Sequence, residues 1–255
     1  MKIAKIALLL SLVLVVALAF SSCGDTKGTE GLDFYPLPDG TYGVMAGNAL
    51  YMDKIVIPAK YNGKPVTQIL PEAFEGAKNL TEIVIPDSIK VIDERAFFGC
   101  GSLNNVVIPN GVTSIGNAAF WSCKNLDSII IPNSVTSIGE SAFYDCYSLA
   151  SVVIPDSVTS IGNYAFYGCS SLTSIVIPNG ITCIDDMTFS YCFSLNKISI
   201  PNSVISIERE AFFECQNLTD IYYEGQEKDW ENISIDYGNY CIDNATIHYN
   251  FISKQ

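Results

Sequence analysis

Residues 111–133 read GVTSIGNAAFWSCKNLDSIIIPN, residues 134–156 read SVTSIGESAFYDCYSLASVVIPD, and residues 157–179 read SVTSIGNYAFYGCSSLTSIVIPN. The three segments align without a gap, so the chain has an internal period of 23 residues. The same frame extends back to residue 65 and forward to residue 225, which gives seven copies. Self-similarity at a fixed period of this length predicts a repeat architecture.

Three large apolar positions recur in each copy and define the expected core. They are an isoleucine, a phenylalanine and a leucine, at Ile92, Ile115, Ile138, Ile161, Ile184 and Ile207, at Phe97, Phe120, Phe143, Phe166, Phe189 and Phe212, and at Leu103, Leu126, Leu149, Leu172, Leu195 and Leu218. A unit this small cannot bury these side chains alone, so the copies must stack with like residues above like. Each copy closes with an alternating segment such as SIVI at 174–177, which proline follows in every copy but the last, and this predicts a strand and a turn. In the last copy Tyr223-Glu224 replaces Ile-Pro. The stacked strands should form a parallel sheet.

Residues 146–166, CYSLASVVIPDSVTSIGNYAF, match almost letter for letter the motif CxxLxxIxIPxxVxxIGxxAF and so resemble the BspA-like class of bacterial surface leucine-rich repeats. Val152 replaces the first isoleucine of the motif. The resemblance covers residues 54 to about 225. It implies a right-handed, strand-rich α/β-type solenoid with a parallel concave sheet and a cap at each end. It also implies an adhesin or receptor that binds host matrix proteins or other cells.

The ends of the chain depart from the repeat. Lys2 and Lys5, the apolar run 6–20 and Ser21-Ser22-Cys23 resemble a lipoprotein leader, with residues 1–22 removed and Cys23 lipidated. The alternative is an ordinary secretory signal cleaved near Ser22, and either route predicts export. We interpret residues 23–31 as a flexible tether, 32–64 as an N-terminal cap, 65–225 as the repeats and 226–255 as a C-terminal cap.

Charge and residue content argue against several classes of function. The net charge is −13, and it falls to −15 once Lys2 and Lys5 are lost, which makes nucleic acid an improbable partner. The single histidine, His248, accompanies no recognisable nucleophile motif, so no enzymatic activity is predicted. Acidic pairs such as Asp93-Glu94 and Asp185-Asp186 do not recur in every copy and are interpreted as solvated charge. No metal or cofactor is predicted.

Six cysteines also recur every 23 residues, at Cys100, Cys123, Cys146, Cys169, Cys192 and Cys215. The first copy has Ala77 in this position, and no CxxC motif or histidine accompanies the thiols. The pattern favours a column of buried free thiols, and disulfides between neighbours are the alternative. Cys183 and Cys241 have no assigned place.

Strand alternation predicts which side chains of the concave sheet point outward. One outward column is mainly small and polar, and its neighbour is mainly β-branched. The candidate protein-binding residues are Val84, Asn105, Val107, Ser128, Ile130, Ser151, Val153, Ser174, Val176, Lys197, Ser199 and Tyr222. An exposed β-branched stripe is typical of a protein-binding surface, although β-branched residues are favoured in any strand.

A second candidate surface is the aromatic column that follows the repeat phenylalanine, interrupted at Ser190. Its members are Phe98, Trp121, Tyr144, Tyr167 and Phe213. These rings could bind sugars, or they could shield the turn beside the core. A structural role in the cell envelope, without a soluble ligand, is the third hypothesis.

Overall fold

The computed structural model describes residues 28–251, which form a solenoid of parallel strands. Cys23 and residues 1–22 lie outside the described residues, so the predicted lipidation site is not among them. Between residues 28 and 251, no helix is long and apolar enough to cross a membrane. The predicted repeat solenoid is confirmed.

The concave sheet consists of one short strand from each turn. These strands pair in parallel in three hydrogen-bonded groups, and equivalent residues of successive turns lie side by side, as Ile129 does with Val152. The strands are β3 (Lys54–Val56), β6 (Glu82–Val84), β8 (Asn105–Val106), β10 (Ser128–Ile130), β12 (Ser151–Val153), β14 (Ser174–Val176), β16 (Lys197–Ile200), β18 (Asp220–Tyr223) and β20 (Thr246–His248).

A second sheet runs along the other side of the turns. Its members are mostly two residues long. The strands are β1 (Asp33–Pro36), β2 (Tyr42–Met45), β4 (Lys60–Tyr61), β5 (Lys64–Ile69), β7 (Val91–Ile92), β9 (Ser114–Ile115), β11 (Ser137–Ile138), β13 (Ser160–Ile161), β15 (Cys183–Ile184), β17 (Ser206–Ile207) and β19 (Ser234–Ile235). Each of β5, β7, β9, β11, β13, β15 and β17 buries an isoleucine, such as Ile138, in the core.

A layer of turns, rather than helices, joins the second sheet to the concave sheet. Alternate backbone N–H groups in this layer donate to carbonyl oxygens of the next copy; Ala118, Phe120 and Ser122 do so over 2.7–2.8 Å. Two residues per copy have positive φ. The first set is Glu72, Arg95, Ala118, Ser141, Tyr164, Met187 and Glu210, and the second is Gly76, Gly99, Ser122, Asp145, Gly168, Tyr191 and Glu214.

The core is a stack of like residues, as the repeat predicted. The phenylalanine rings from Phe74 to Phe212 are fully buried and nearly parallel, with neighbouring centroids 5.2–5.6 Å apart. The repeat isoleucines and leucines are buried beside them. Each copy therefore buries apolar surface against both neighbouring copies, and this burial is the main source of stability in a repeat protein.

Both caps extend the sheets. Strand β3 of the predicted N-terminal cap begins the concave sheet, and β20 of the predicted C-terminal cap ends it. Contacts with the fold begin at Thr29, ahead of the predicted boundary at Leu32: Thr29 N–H donates to Val56 O, and Val56 N–H donates to Thr29 Oγ1. The remaining elements are a 3-10 helix (Gly47–Tyr51) and two short helices, α1 (Glu227–Trp230) and α2 (Tyr240–Asp243).

Candidate binding face

The middle of the concave sheet carries an exposed apolar stripe. The stripe consists of Val107, Ile130, Val153 and Val176, which expose 37%, 41%, 56% and 36% of their surfaces. The residues directly before and after each of them in the chain are buried. Val153 lies directly beside Ile130 in the parallel register. Strand alternation accounts for this arrangement, because the buried neighbours Ile129 and Val152 point into the core.

The polar column beside the stripe is uncharged in the middle of the sheet and charged at the ends. Ser128, Ser151 and Ser174 occupy it on β10, β12 and β14. At the N-terminal end, Lys54 Nζ lies 3.0 Å from a Glu82 carboxylate oxygen, and this contact raises the pKa of Lys54. The centre of the face therefore presents mainly methyl and hydroxyl groups, with the exposed carboxylate of Asp127 accepting a hydrogen bond from the Ser128 hydroxyl at the start of β10.

The C-terminal end of the face has a different chemistry. Asp220 Oδ1 lies 2.8 Å from His248 Nε2, and the hydrogen bond from His248 lowers the pKa of Asp220. Tyr222 lies between the His248 ring, at a centroid distance of 4.6 Å, and Phe251, at 4.8 Å. Ser199 is only 7% exposed, since it lies in register between Val176 and the larger Tyr222.

The sequence did not predict the contact between Asp220 and His248. In the sheet register Asp220 pairs with Thr246, and Tyr222 pairs with His248, so the last strand follows 26 residues later rather than 23. The C-terminal cap changes the spacing. A search with the 23-residue period therefore does not align Thr246 and His248 with the outward columns of the concave sheet.

The aromatic column is continuous in the structure. Trp121 stacks on Tyr144 at 3.9 Å, and Tyr144 stacks on Tyr167 at 4.4 Å. Tyr191 fills the interruption at Ser190, with its ring 5.1 Å from Tyr167 and 5.5 Å from Phe213. Because neighbouring rings cover both faces of Tyr144, the interior of the column offers ring edges to solvent, whereas a stacked sugar needs a free face.

The recurring cysteines form the predicted column of buried free thiols. Each thiol donates a hydrogen bond to the phenylalanine carbonyl oxygen of the preceding copy, over 3.1–3.3 Å. Burial raises the pKa of every thiol in the column, that of Cys100 to about 12. In the folded solenoid these thiols are therefore protonated and packed in the core.

The two remaining cysteines differ in their surroundings. Cys183 takes the place of the serine found in most copies of the second sheet, and its thiol donates to Glu208 Oε1 over 3.4 Å. Cys241 lies in α2 and packs against the end of the core. Burial is the main reason that the pKa of each is raised.

The described residues contain no group of three or more histidine, cysteine or acidic side chains that could hold a metal ion. Of the acidic pairs, Asp93 accepts a hydrogen bond from Gln68 Nε2 and Asp186 pairs with Arg209. A depression of about 330 Å³ lies at the C-terminal cap, lined by Glu214, Cys215, Gln216, Leu218, Tyr240, Cys241 and Asn244.

Comparison with known proteins identifies the family. The model of the BspA type leucine rich repeat region matches six copies, over residues 48–158 and 136–253. The chain belongs to the BspA-type leucine-rich-repeat family. This match includes β3 and β20, the strands that the two predicted caps contribute to the concave sheet.

Solved structures of other bacterial proteins share this BspA-type fold. A leucine-rich-repeat protein of T. pallidum is 28% identical with a TM-score of 0.69, and the alignment covers 76% of this chain and 91% of that one. A leucine-rich-repeat protein of Bacteroides ovatus is 24% identical with a TM-score of 0.58, covering 88% of this chain and 71% of the other. A search of curated proteins found no match.

Proposed function

We propose that this BspA-type protein is anchored at the bacterial surface and binds a protein ligand through its concave face, as an adhesin or receptor for host matrix proteins or other cells. The observation that carries the proposal is the exposed stripe of Val107, Ile130, Val153 and Val176. Side chains on this face do not contribute to the stacked core, and an exposed, continuous apolar stripe is typical of a protein-binding surface.

The chemistry of the face favours a protein partner with an uncharged contact surface. The strands β10, β12 and β14 contain no charged residue, and the Asp127 carboxylate that precedes β10 accepts a hydrogen bond from Ser128. An apolar partner segment that leaves Asp127 at the solvated rim can cover the stripe without burying a charge. Hydroxyl groups of Ser151 and Ser174 can satisfy polar groups of the partner alongside the apolar contact. Charged side chains lie at the ends of the face, where the rim of an interface is solvated.

The proposed surface location rests on the leader. The basic residues, the apolar run and the small residues before Cys23 match the order of a lipoprotein signal. A lipid on Cys23 would hold the solenoid at the membrane with its concave face open to extracellular partners.

Binding of the soluble chain that begins after Cys23 to a panel of host matrix proteins, plasma proteins and glycans tests the proposal. The variant is Ile130→Asp/Val153→Asp. Its matched control is Thr136→Asp/Thr159→Asp, which places the same two charges on exposed positions of neighbouring copies, 134–156 and 157–179, next to the second sheet. We expect a protein of the panel to be retained by the wild type and by the control but not by the variant. Equal retention by all three would exclude the concave face.

Glycan binding through the aromatic column is the alternative function. It requires that Trp121→Ala/Tyr144→Ala lose retention of a glycan while the protein still folds and binds protein ligands. A structural role in the envelope is the further alternative, and it requires that deletion alter envelope integrity whereas substitutions on either face do not.

A further inference from the structure

The C-terminal cap reproduces part of a repeat with a different sequence. In regular copies the repeat phenylalanine N–H donates to an alanine carbonyl of the next copy, as Phe189 does to Ala211 O over 2.8 Å. Phe212 has no next copy, and its N–H donates instead to Asn239 Oδ1 over 3.0 Å. Asn239 Nδ2 is held in turn by Glu208 O and Asp236 O. The asparagine side chain thus replaces the missing carbonyl of an eighth copy.

The next two residues extend the side-chain columns. Tyr240 meets Phe213 edge to face at 6.3 Å and continues the aromatic column. Cys241 packs against the core and continues the thiol column beyond Cys215. The Cys241 thiol lies against the backbone of Cys215, as the Cys215 thiol lies against the backbone of Cys192. The pair Cys215 and Cys241 is therefore equivalent to two neighbours in the column.

This end of the column differs from its interior in access to solvent. The six repeat thiols are buried, whereas Cys241 is half-exposed. Cys241 lines the depression at the cap, so a small oxidant that enters it reaches the Cys241 sulfur. Cys215 lines the same depression but is fully buried, so its sulfur can be reached only through Cys241. Burial raises the pKa of interior thiols such as Cys146 and Cys169, so they stay protonated and do not take part in thiol-disulfide exchange.

We propose that Cys215 and Cys241 are a redox-active pair that forms a disulfide and locks the C-terminal cap onto the last repeat. The bond closes a loop that contains β18 and α1, including Asp220 and Tyr222 of the concave face. A cross-link across this loop restricts the unfolded chain and opposes fraying of the last strands, where a solenoid has a neighbour on one side only.

The chemistry is thiol-disulfide exchange with a small disulfide as the oxidant. The Cys241 thiolate attacks one sulfur of oxidised glutathione, which forms a mixed disulfide and releases one glutathione thiolate. Cys215 then gives its proton to the departing glutathione as its sulfur attacks the Cys241 sulfur, which forms the protein disulfide and releases the second glutathione. Two electrons pass to the oxidant, and the protons from the two cysteines end on the two glutathione thiols.

The test uses the full chain, reduced and purified in a mild detergent, with Cys23→Ser so that eight cysteines remain. The protein is incubated with oxidised glutathione at pH 8.5, blocked, and digested without reduction for mass spectrometry. We expect two of the eight thiols to be consumed, a linked pair of peptides containing Cys215 and Cys241, and a higher melting temperature that returns to its starting value on reduction.

Two variants separate this result from general oxidation. Cys241→Ser should abolish both the link and the rise in melting temperature, while circular dichroism checks that it remains folded. Cys183→Ser, which removes a half-buried thiol beside Glu208, should leave both unchanged. Glutathione retained on Cys241, a link between any other pair, or no consumption of thiols would overturn the proposal.

Discussion

The thiol of Cys146 donates a hydrogen bond to the carbonyl oxygen of Phe120 in the preceding copy, over 3.1 Å. The same carbonyl oxygen accepts the N–H of Cys123, also over 3.1 Å. One backbone oxygen thus accepts a hydrogen bond from its own copy and another from the next copy. The contact recurs at Cys100, Cys123, Cys169, Cys192 and Cys215, so the column contributes to stability all along the solenoid.

The buried thiols predict a protein that is sensitive to alkaline pH. Folding raises the pKa of Cys146 and its column neighbours, so the unfolded chain releases protons first, near its reference pKa of about 8.5. The stabilisation is fully present below that pH and is lost as the pH rises toward the folded pKa, at about 1.4 kcal/mol per pH unit for each thiol.

Urea unfolding with a reductant at pH 7.5 and 9.5 measures this effect. Between the two pH values, the free energy of unfolding of Cys146→Ala should fall by less than that of the wild type. The difference between the two decreases should equal the pH-dependent contribution of one thiol. Identical pH dependence in the two proteins would contradict the assignment of Cys146 as a buried neutral thiol.

The phenylalanine stack predicts a large cost for a central deletion. Phe166 is fully buried, with Phe143 at 5.3 Å and Phe189 at 5.6 Å. Phe166→Ala should lower the free energy of unfolding by about 3–5 kcal/mol, because transfer energy is lost and a cavity remains. Tyr51→Ala, at a ring that is 77% exposed, is the control and should change it by no more than about 0.5 kcal/mol. A loss below about 1 kcal/mol at Phe166 would contradict its inward position.

The turn layer predicts opposite effects for two substitutions at equivalent positions. Gly99 has φ of +72°, and a Cβ there would meet no atom closer than 4.0 Å, so Gly99→Ala should cost about 1–2 kcal/mol through backbone strain alone. Ser122, one copy later, has φ of 55°. Ser122→Gly relieves the same strain and should leave stability unchanged or raise it. Thermal unfolding of both variants measures the difference, and a loss at both sites would show that side-chain contacts dominate there.

The aromatic column predicts a loss of stability when Trp121 is removed. Its ring contacts Tyr144 at 3.9 Å and Phe98 at 5.6 Å. Trp121→Ala should lower the free energy of unfolding by about 1–3 kcal/mol, since two ring contacts of about 0.5–1.5 kcal/mol each are lost. Chemical denaturation measures the loss, and glycan retention by the same variant shows whether the column has a second role.

The period alone was sufficient to predict the columns of isoleucine, phenylalanine, leucine and cysteine, because each residue contacts its equivalent in the next copy. Prediction failed where the chain departs from the frame. Tyr191 fills the interruption at Ser190 from the neighbouring position, and Asn239 replaces a backbone carbonyl with a side chain. Both contacts depend on where a side chain points rather than on its place in the repeat.

Affinity for a protein retained from the panel is the most direct test of the concave face. Ile130→Asp/Val153→Asp would bury two carboxylates against an apolar partner, and the account predicts a dissociation constant raised at least about thirtyfold, equivalent to about 2 kcal/mol. The folded control Thr136→Asp/Thr159→Asp should bind as the wild type does. An unchanged dissociation constant for the Ile130→Asp/Val153→Asp variant would contradict the assignment of the stripe as the binding surface.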